Sequence, residues 1–212
     1  MHEYSVIGHP RKTIILVLAI VSGVISKGIT NLLETWVAEF NVVVSFSVST
    51  FTVFALLYLL FNHILWKLNI FSKFLNFPNL NGEWECLGLS NNIKKNKQYP
   101  WNGTVVIKQT WDKMLISVKT STSTSHSISQ TGGLRHYPGL GYKMSYHYEN
   151  IPSVSQTELK KHEGFCILTF DENVTSATGC YFNNIKDRAT YGEMNLRRRA
   201  ENVEARLLKK AK

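Results

Sequence analysis

Tyr146-x-Tyr148-x-Asn150, His162, Arg188 and Thr190 are the residues of this 212-residue chain with the most chemistry to offer one small ligand. Tyrosine rings stack on flat heterocycles, a guanidinium pairs with phosphate, and Asn, Thr and His side chains bond base edges or ribose hydroxyls. Ser123, Ser125 and Ser127 recur at every second position and add hydroxyls behind them. Lys plus Arg outnumber Asp plus Glu by 24 to 15, a formal charge of +9, so the chain attracts anions. A small nucleotide is the ligand class these residues suit best. Each also has a plainer role open to it: Tyr146 and Tyr148 as core, Asn150 with Pro152 as a turn, His162 as partner of a backbone group, and Arg188 as partner of Asp187 or Glu193.

Other chemistry finds no support. There is no Cys-x-x-Cys and no His-Glu-x-x-His, and the seven histidines are scattered, so no metal is expected. The glycines from Gly132 to Gly141 lack the Gly-Lys-Ser/Thr of a phosphate loop and open no helix. Without a Gly-x-Ser-x-Gly elbow or a recognisable Cys/His pair, no nucleophile can be nominated. The expectation is a receptor, with no cofactor and no catalytic residue.

These residues need a frame that brings distant positions together. After Phe77-Pro78 the chain changes from long apolar runs to short alternating segments. Eight strands are expected, at about Gly82–Ser90, Thr104–Thr110, Lys113–Thr120, Ser123–Gln130, Gly141–Asn150, Glu163–Phe170, Thr175–Asn183 and Ala189–Arg197. Breakers fall between them, among them Asn91-Asn92, Trp111-Asp112, Gly132-Gly133 with Pro138-Gly139, and Ile151-Pro152. Short strands joined by hairpin turns define an antiparallel barrel or sandwich, and an eight-stranded up-and-down barrel holds either packed side chains or one small ligand. Alternation places Tyr142, Met144, Tyr146 and Tyr148 on one face of the fifth strand and Lys143, Ser145, His147 and Glu149 on the other. The aromatic face should point inward, as should Met114, Ile116 and Val118 of the third strand. In the fourth strand Ser123, Ser125, Ser127 and Ser129 share one face; they either line a wet cavity or mark a polar edge strand or loop, and both readings stand. Trp84 is expected to plug the barrel's closed end.

The first 76 residues are a different material. From Asn41 to Trp66 there is no Asp, Glu, Lys or Arg, which satisfies the roughly 20 apolar residues a bilayer span needs. The stretch from Thr13 to Trp36 is interrupted by Lys27 and Glu34, and Lys27 can snorkel toward headgroups. A signal peptide is the competing reading for this stretch, but no cleavage pattern precedes a plausible mature start. Two helices, about 13–36 and 42–66, are therefore expected as a transmembrane hairpin. Arg11 and Lys12 precede the first and Lys67 and Lys73 follow the second, while the short connection carries Glu39, so both termini and the barrel should be cytoplasmic. A reducing compartment also accounts for the isolated Cys86, Cys166 and Cys180. The expected division is 1–76 membrane part, 77–198 barrel and 199–212 basic tail; the tail is a solvated helix or a contact for the anionic leaflet.

The order of motifs carries a resemblance. Asn81-Gly82-Glu83-Trp84 looks like the Gly-x-Trp opening of lipocalin-like barrels. Behind two spans, the series Trp111, Thr120, Ser123-x-Ser125-x-Ser127, Tyr146-x-Tyr148-x-Asn150-x-Pro152, His162-x-Gly164, Gly179-x-Tyr181 and Arg188-x-Thr190-x-Gly192 resembles the SMODS-associated two-transmembrane, β-strand-rich effectors of bacterial CBASS antiphage systems. The resemblance implies a lipocalin-like barrel that binds a cyclic dinucleotide made by a partner nucleotidyltransferase (CD-NTase). It further implies a homo-oligomer on activation, disruption of the inner membrane lipid, and abortive infection, with no DNA or RNA polymer as partner. The alternative reading is a membrane-tethered lipid-binding barrel with no defence role.

Overall fold

The computed structural model describes residues 1–38, 48–68, 70–71, 75–121, 126–151, 161–184, 186 and 189–199, in two compact units: Gly8–Phe77, and Met1–Ile7 with Pro78 onward. Ser123, Ser125, Arg188, the start of the expected second span and residues 200–212 of the tail lie outside the described residues.

The first unit is helical. Pro10, whose fixed φ suits a helix start, precedes α1 (Arg11–Ala38), and α2 (Thr50–His63) runs into a 3₁₀ turn over Leu65–Lys67. Both stretches are long and apolar enough to cross a bilayer. Ser22 and Ser26, one helical turn apart on α1, are buried, and between them a Cβ on Gly23 would lie 4.0 Å from Thr50 Cγ2 of α2. Ser26 Oγ donates to Val48 O at 2.5 Å, and Val48 N–H donates to Thr30 Oγ1 at 3.3 Å, so α1 satisfies polar backbone ahead of α2 that a bilayer could not. Leu16, Ile20, Val24 and Leu32, with Phe51, Leu56 and Leu59, stay exposed, an apolar surface suited to lipid.

The second unit is a closed barrel. Strands β3 (Gly82–Asn92), β4 (Lys97–Gln109), β5 (Lys113–Thr120), β6 (His126–Tyr137), β7 (Gly141–Ile151), β8 (His162–Phe170), β9 (Ser176–Asn183) and β10 (Thr190–Arg198) each pair antiparallel with the next, and β10 closes on β3. This is the expected eight-stranded up-and-down barrel. As alternation requires, Met114, Ile116, Met144, Tyr146 and Tyr148 point inward. One end is apolar: Trp84 is fully buried, donates Nε1–H to Leu80 O at 3.2 Å, meets Phe170 edge-on at 5.1 Å, and carries the Arg198 guanidinium 5.3 Å above its ring. Trp84 is thus the plug that its position in the sequence implies.

Three features depart from the sequence reading. Gly132-Gly133, read as a turn, lies inside β6, where a bulge between Ser129 and Thr131 absorbs the irregularity. β4 begins at Lys97 and runs through Pro100, because its first residues pair with β3 alone and the missing proline N–H costs no ladder bond on the open side. Residues 1–7, grouped by sequence with the helices, are part of the barrel unit: β1 (His2–Glu3) pairs antiparallel with β5 and β2 (Ser5–Ile7) pairs parallel with β6. Two- and three-residue strands carry no periodic signal, which is why only the fold reveals them.

The N-terminal segment meets the remainder of the barrel at Gln109. Its buried amide donates to Tyr4 OH at 3.0 Å and Pro78 O at 3.2 Å and accepts from Leu80 N–H at 2.8 Å. Asn81 brackets the same backbone, accepting from Gln109 N–H at 2.7 Å and donating to Gln109 O at 3.0 Å. Replacing Gln109 by leucine removes the acceptor of the Leu80 N–H, the donor to Pro78 O and one of the partners of the Tyr4 hydroxyl. At about 1–3 kcal/mol for each orphaned buried group, Gln109→Leu should destabilise the barrel by about 2–4 kcal/mol. Urea denaturation of the full chain in detergent measures this; a loss below about 0.5 kcal/mol, the level of an indifferent surface change, contradicts the assignment.

Candidate ligand-binding mouth of the barrel

Opposite the Trp84 plug, the inward faces turn polar. β7 carries Tyr148 and Asn150 to this end, β8 places His162 directly across from Asn150, β6 places Ser127 on its other side, and β10 begins there with Thr190. Asn150, His162, Asn183 and Thr190 are all buried. Their hydrogen bonds form short chains along the wall. Tyr148 OH donates to Asn183 Oδ1 at 2.8 Å, and Asn183 Nδ2 in turn donates to Thr190 Oγ1. Ser127 Oγ donates to Asn150 Oδ1 at 3.1 Å. On the far wall Trp101 Nε1–H donates to Tyr181 OH at 3.2 Å, and Tyr181 OH also shares a hydrogen bond with Ser90.

Glycines let these rings lie flat. A Cβ on Gly88 would collide with the Trp101 indole, one on Gly164 with the Tyr148 phenol, and one on Gly192 with the Tyr181 ring, each glycine lying on a strand that the ring crosses. This end of the barrel therefore brings aromatic rings and polar edges together, the two kinds of surface on which a heterocycle with hydrogen-bonding substituents can be read.

The structure brings together Tyr148, Asn150, His162, Thr190 and Ser127 of the residues singled out by sequence. Tyr146 sits one step deeper, 2% exposed, with its ring centroid 6.2 Å from that of Tyr148. Burial holds its hydroxyl well above the usual tyrosine range, with Cys166 beside it adding to the shift, so it stays a neutral core phenol. Ser129, on the same face as Ser127, is a seam residue: it accepts from Ile116 N–H at 2.8 Å and bonds His2 Nε2 at 2.8 Å. Sequence reasoning passed over Asn183, Ser90 and Trp101 as parts of the mouth. Alternation in β9, where Ala177, Gly179, Tyr181 and Asn183 share a face, is the signal that reaches Asn183.

A groove of about 1060 Å³ runs over the outer wall between Ser176, Arg197, Glu85, Thr104 and Lys119. Its polar side chains stand in solvent, and nearby Arg199 already spends its charge on Glu83 at 3.1 Å and Glu85 at 3.3 Å. It lacks the buried, oriented groups of the mouth. Among the described residues no cluster of His, Cys, Asp and Glu could hold a metal ion.

A barrel plugged by packed aromatics at one end and lined by oriented polar groups at the other defines a small-ligand receptor, here joined to two membrane-type helices. The comparisons agree in both parts: residues 75–198 match the family model described as Cap15, cyclic dinucleotide receptor domain, and residues 12–67 match Cap15, TM helices. The chain is also 35% identical over 207 residues to CD-NTase-associated protein 15 of Yersinia aleksiciae, covering 93% of this chain and 97% of that one. The chain belongs to the Cap15 family, a CBASS-associated membrane protein family with a cyclic dinucleotide receptor domain.

The thiols report on closure of the barrel. Burial pushes Cys86 and Cys166 up to about 12, whereas Cys180 faces outward. In the native chain N-ethylmaleimide should modify Cys180 alone, and all three only after denaturation, because thiolate is the reactive form. Mass spectrometry reads this directly; native labelling of Cys86 or Cys166 would show that the barrel opens.

Proposed function

We propose that the protein is the effector of a CBASS antiphage system. A cyclic dinucleotide made by a CD-NTase binds in the polar mouth, the chain assembles into a homo-oligomer, and the helices disrupt the inner membrane, which ends in abortive infection. The observation that carries this reading is the mouth itself, where Tyr148, Asn183 and Thr190 form one hydrogen-bonded chain and Ser127 and Asn150 another, in the domain that matches a cyclic dinucleotide receptor. By their chemistry Arg188, Ser123 and Ser125 are proposed to bond the phosphates and sugars, in a site of Tyr146, Tyr148, Asn150, His162, Arg188, Thr190, Ser123, Ser125 and Ser127. Tyr146 contributes as the floor on which Tyr148 rests. The protein acts by binding and has no catalytic residue.

Cationic flanks support the topology. Arg11 and Lys12 precede the first span in sequence and Lys67 and Lys73 follow the second, flanks that favour a cytoplasmic side for both termini and the barrel. Energetically the messenger acts as a population shift, binding the assembly-competent state better than the resting one.

Titration of the full chain in detergent with a panel of cyclic dinucleotides tests the reading. One messenger should stabilise the barrel by about 2.7 kcal/mol at a hundredfold excess over its Kd, and should drive assembly in the same sample. Asn150→Ala and Thr190→Val should each weaken binding by about 10- to 100-fold, the worth of a lost buried hydrogen bond to the ligand. No stabilisation by any cyclic dinucleotide, together with a co-purified acyl lipid, would replace this reading with the lipid-binding barrel.

A further inference from the structure

β5 and β6 are the weak joint of the barrel wall. They pair directly only from Ser117 to Lys119 against Ile128 to His126, at the polar end. Beyond that stretch no further β5–β6 pairs form among the described residues, and the N-terminal segment pairs with both strands: His2 and Glu3 with Met114 and Lys113 of β5, and Ser5, Val6 and Ile7 with Gly133, Leu134 and Arg135 of β6. Tyr4, at the step between them, is buried, donates its hydroxyl proton to Thr110 O at 3.2 Å and accepts from Gln109 at 3.0 Å. His2 bonds Ser129, two residues along β6 from Ser127 in the mouth. The segment then continues through Gly8, with φ +84 and nothing within 4 Å of a would-be Cβ, and Pro10 into α1.

We propose that residues 1–7 are a strap that holds the receptor closed in its resting state and is released when the mouth fills, passing occupancy of the barrel to α1 through the chain itself. The inference rests on the receptor reading above. A nucleotide seated among the mouth's polar groups needs room between the walls, and the three direct pairs between β5 and β6 are the shortest pairing between consecutive strands of the barrel, so they resist least. Ser127 pairs with Val118 inside that short stretch, so a ligand seated against it loads the same joint. Moving β6 there breaks the Ser129 to His2 bond first, and the strap's remaining hold is five backbone pairs and Tyr4. Ligand and docked strap are thus competing occupants of one equilibrium.

A disulfide across the strap tests this in the full chain reconstituted in dye-loaded vesicles. A Cβ on Gly133 would lie 3.0 Å from Ser5 Oγ, and neighbouring strands about 4.8 Å apart suit a disulfide, so Ser5→Cys with Gly133→Cys, in a Cys180→Ser background, should cross-link. Oxidised, the variant should still bind cyclic dinucleotide, weakened about tenfold or more, and release no dye; dithiothreitol should restore both. Tyr4→Phe, which keeps the packing and removes the hydroxyl, should act oppositely, tightening apparent binding about fivefold, because a weaker strap raises the fraction of competent barrel. Full dye release from the cross-linked protein, or Tyr4→Phe with unchanged or weaker binding, overturns the strap while leaving the receptor reading intact. Failure of the wild-type chain to bind any cyclic dinucleotide overturns the receptor reading, and the strap mechanism with it.

Discussion

The buried amide of Gln109 is the constraint on which the architecture turns. The chain leaves the barrel unit after Ile7 and returns at Pro78, and the Gln109 side chain bonds Tyr4 just before the exit and Pro78 and Leu80 just after the return. A barrel of eight sequential strands could close without its N-terminus. In this one β5 and β6 pair directly over three residues only, and residues 1–7 give both strands further backbone partners, which buried backbone needs. The helices are therefore threaded between two segments pinned to one residue of β4.

The interior divides by chemistry along the same axis. Near the plug, Trp84, Phe170 and Leu80 are fully buried, and Arg198 caps the indole face while donating to Asn79 O at 3.2 Å. Near the mouth, three glycines clear space for aromatic rings that would otherwise crowd the lumen. Each side chain gained there by a ring is lost on a neighbouring strand, so stability comes from the plug end and adaptability from the mouth. Hydrogen bonds such as Tyr148 to Asn183 can be exchanged for bonds to a ligand at small net cost, whereas the packed indole cannot.

Much of this was legible in the sequence for definite reasons. Strict alternation in β7 separates Met144, Tyr146, Tyr148 and Asn150 from Lys143, Ser145 and Glu149, and the absence of charge from Asn41 to Trp66 has few soluble explanations. Alternation could not say how far along the barrel each inward residue lies. Tyr146 and Tyr148 look alike in sequence, yet one is core and the other bonds at the mouth. The serine face divides in the same way, with Ser127 at the mouth and Ser129 in the seam, because a bulge after Ser129 redirects the strand. Gly132-Gly133 read as a turn by composition, but both lie inside a strand, where a Cβ on Gly132 would come within 2.8 Å of Met144 Cε and 3.2 Å of Ser145 O on β7.

The proposed ligand site is the inside of the polar mouth and not the outer wall. Photo-crosslinking the full chain with an azido-substituted cyclic dinucleotide, followed by peptide mapping, separates the two surfaces. Adducts should fall on the peptides around Tyr148–Asn150, Tyr181–Asn183 and Thr190, and be lost when unmodified messenger competes. Competed adducts confined to the groove between Glu85, Thr104, Lys119 and Arg197 would contradict the account and move the receptor site to the outside of the barrel.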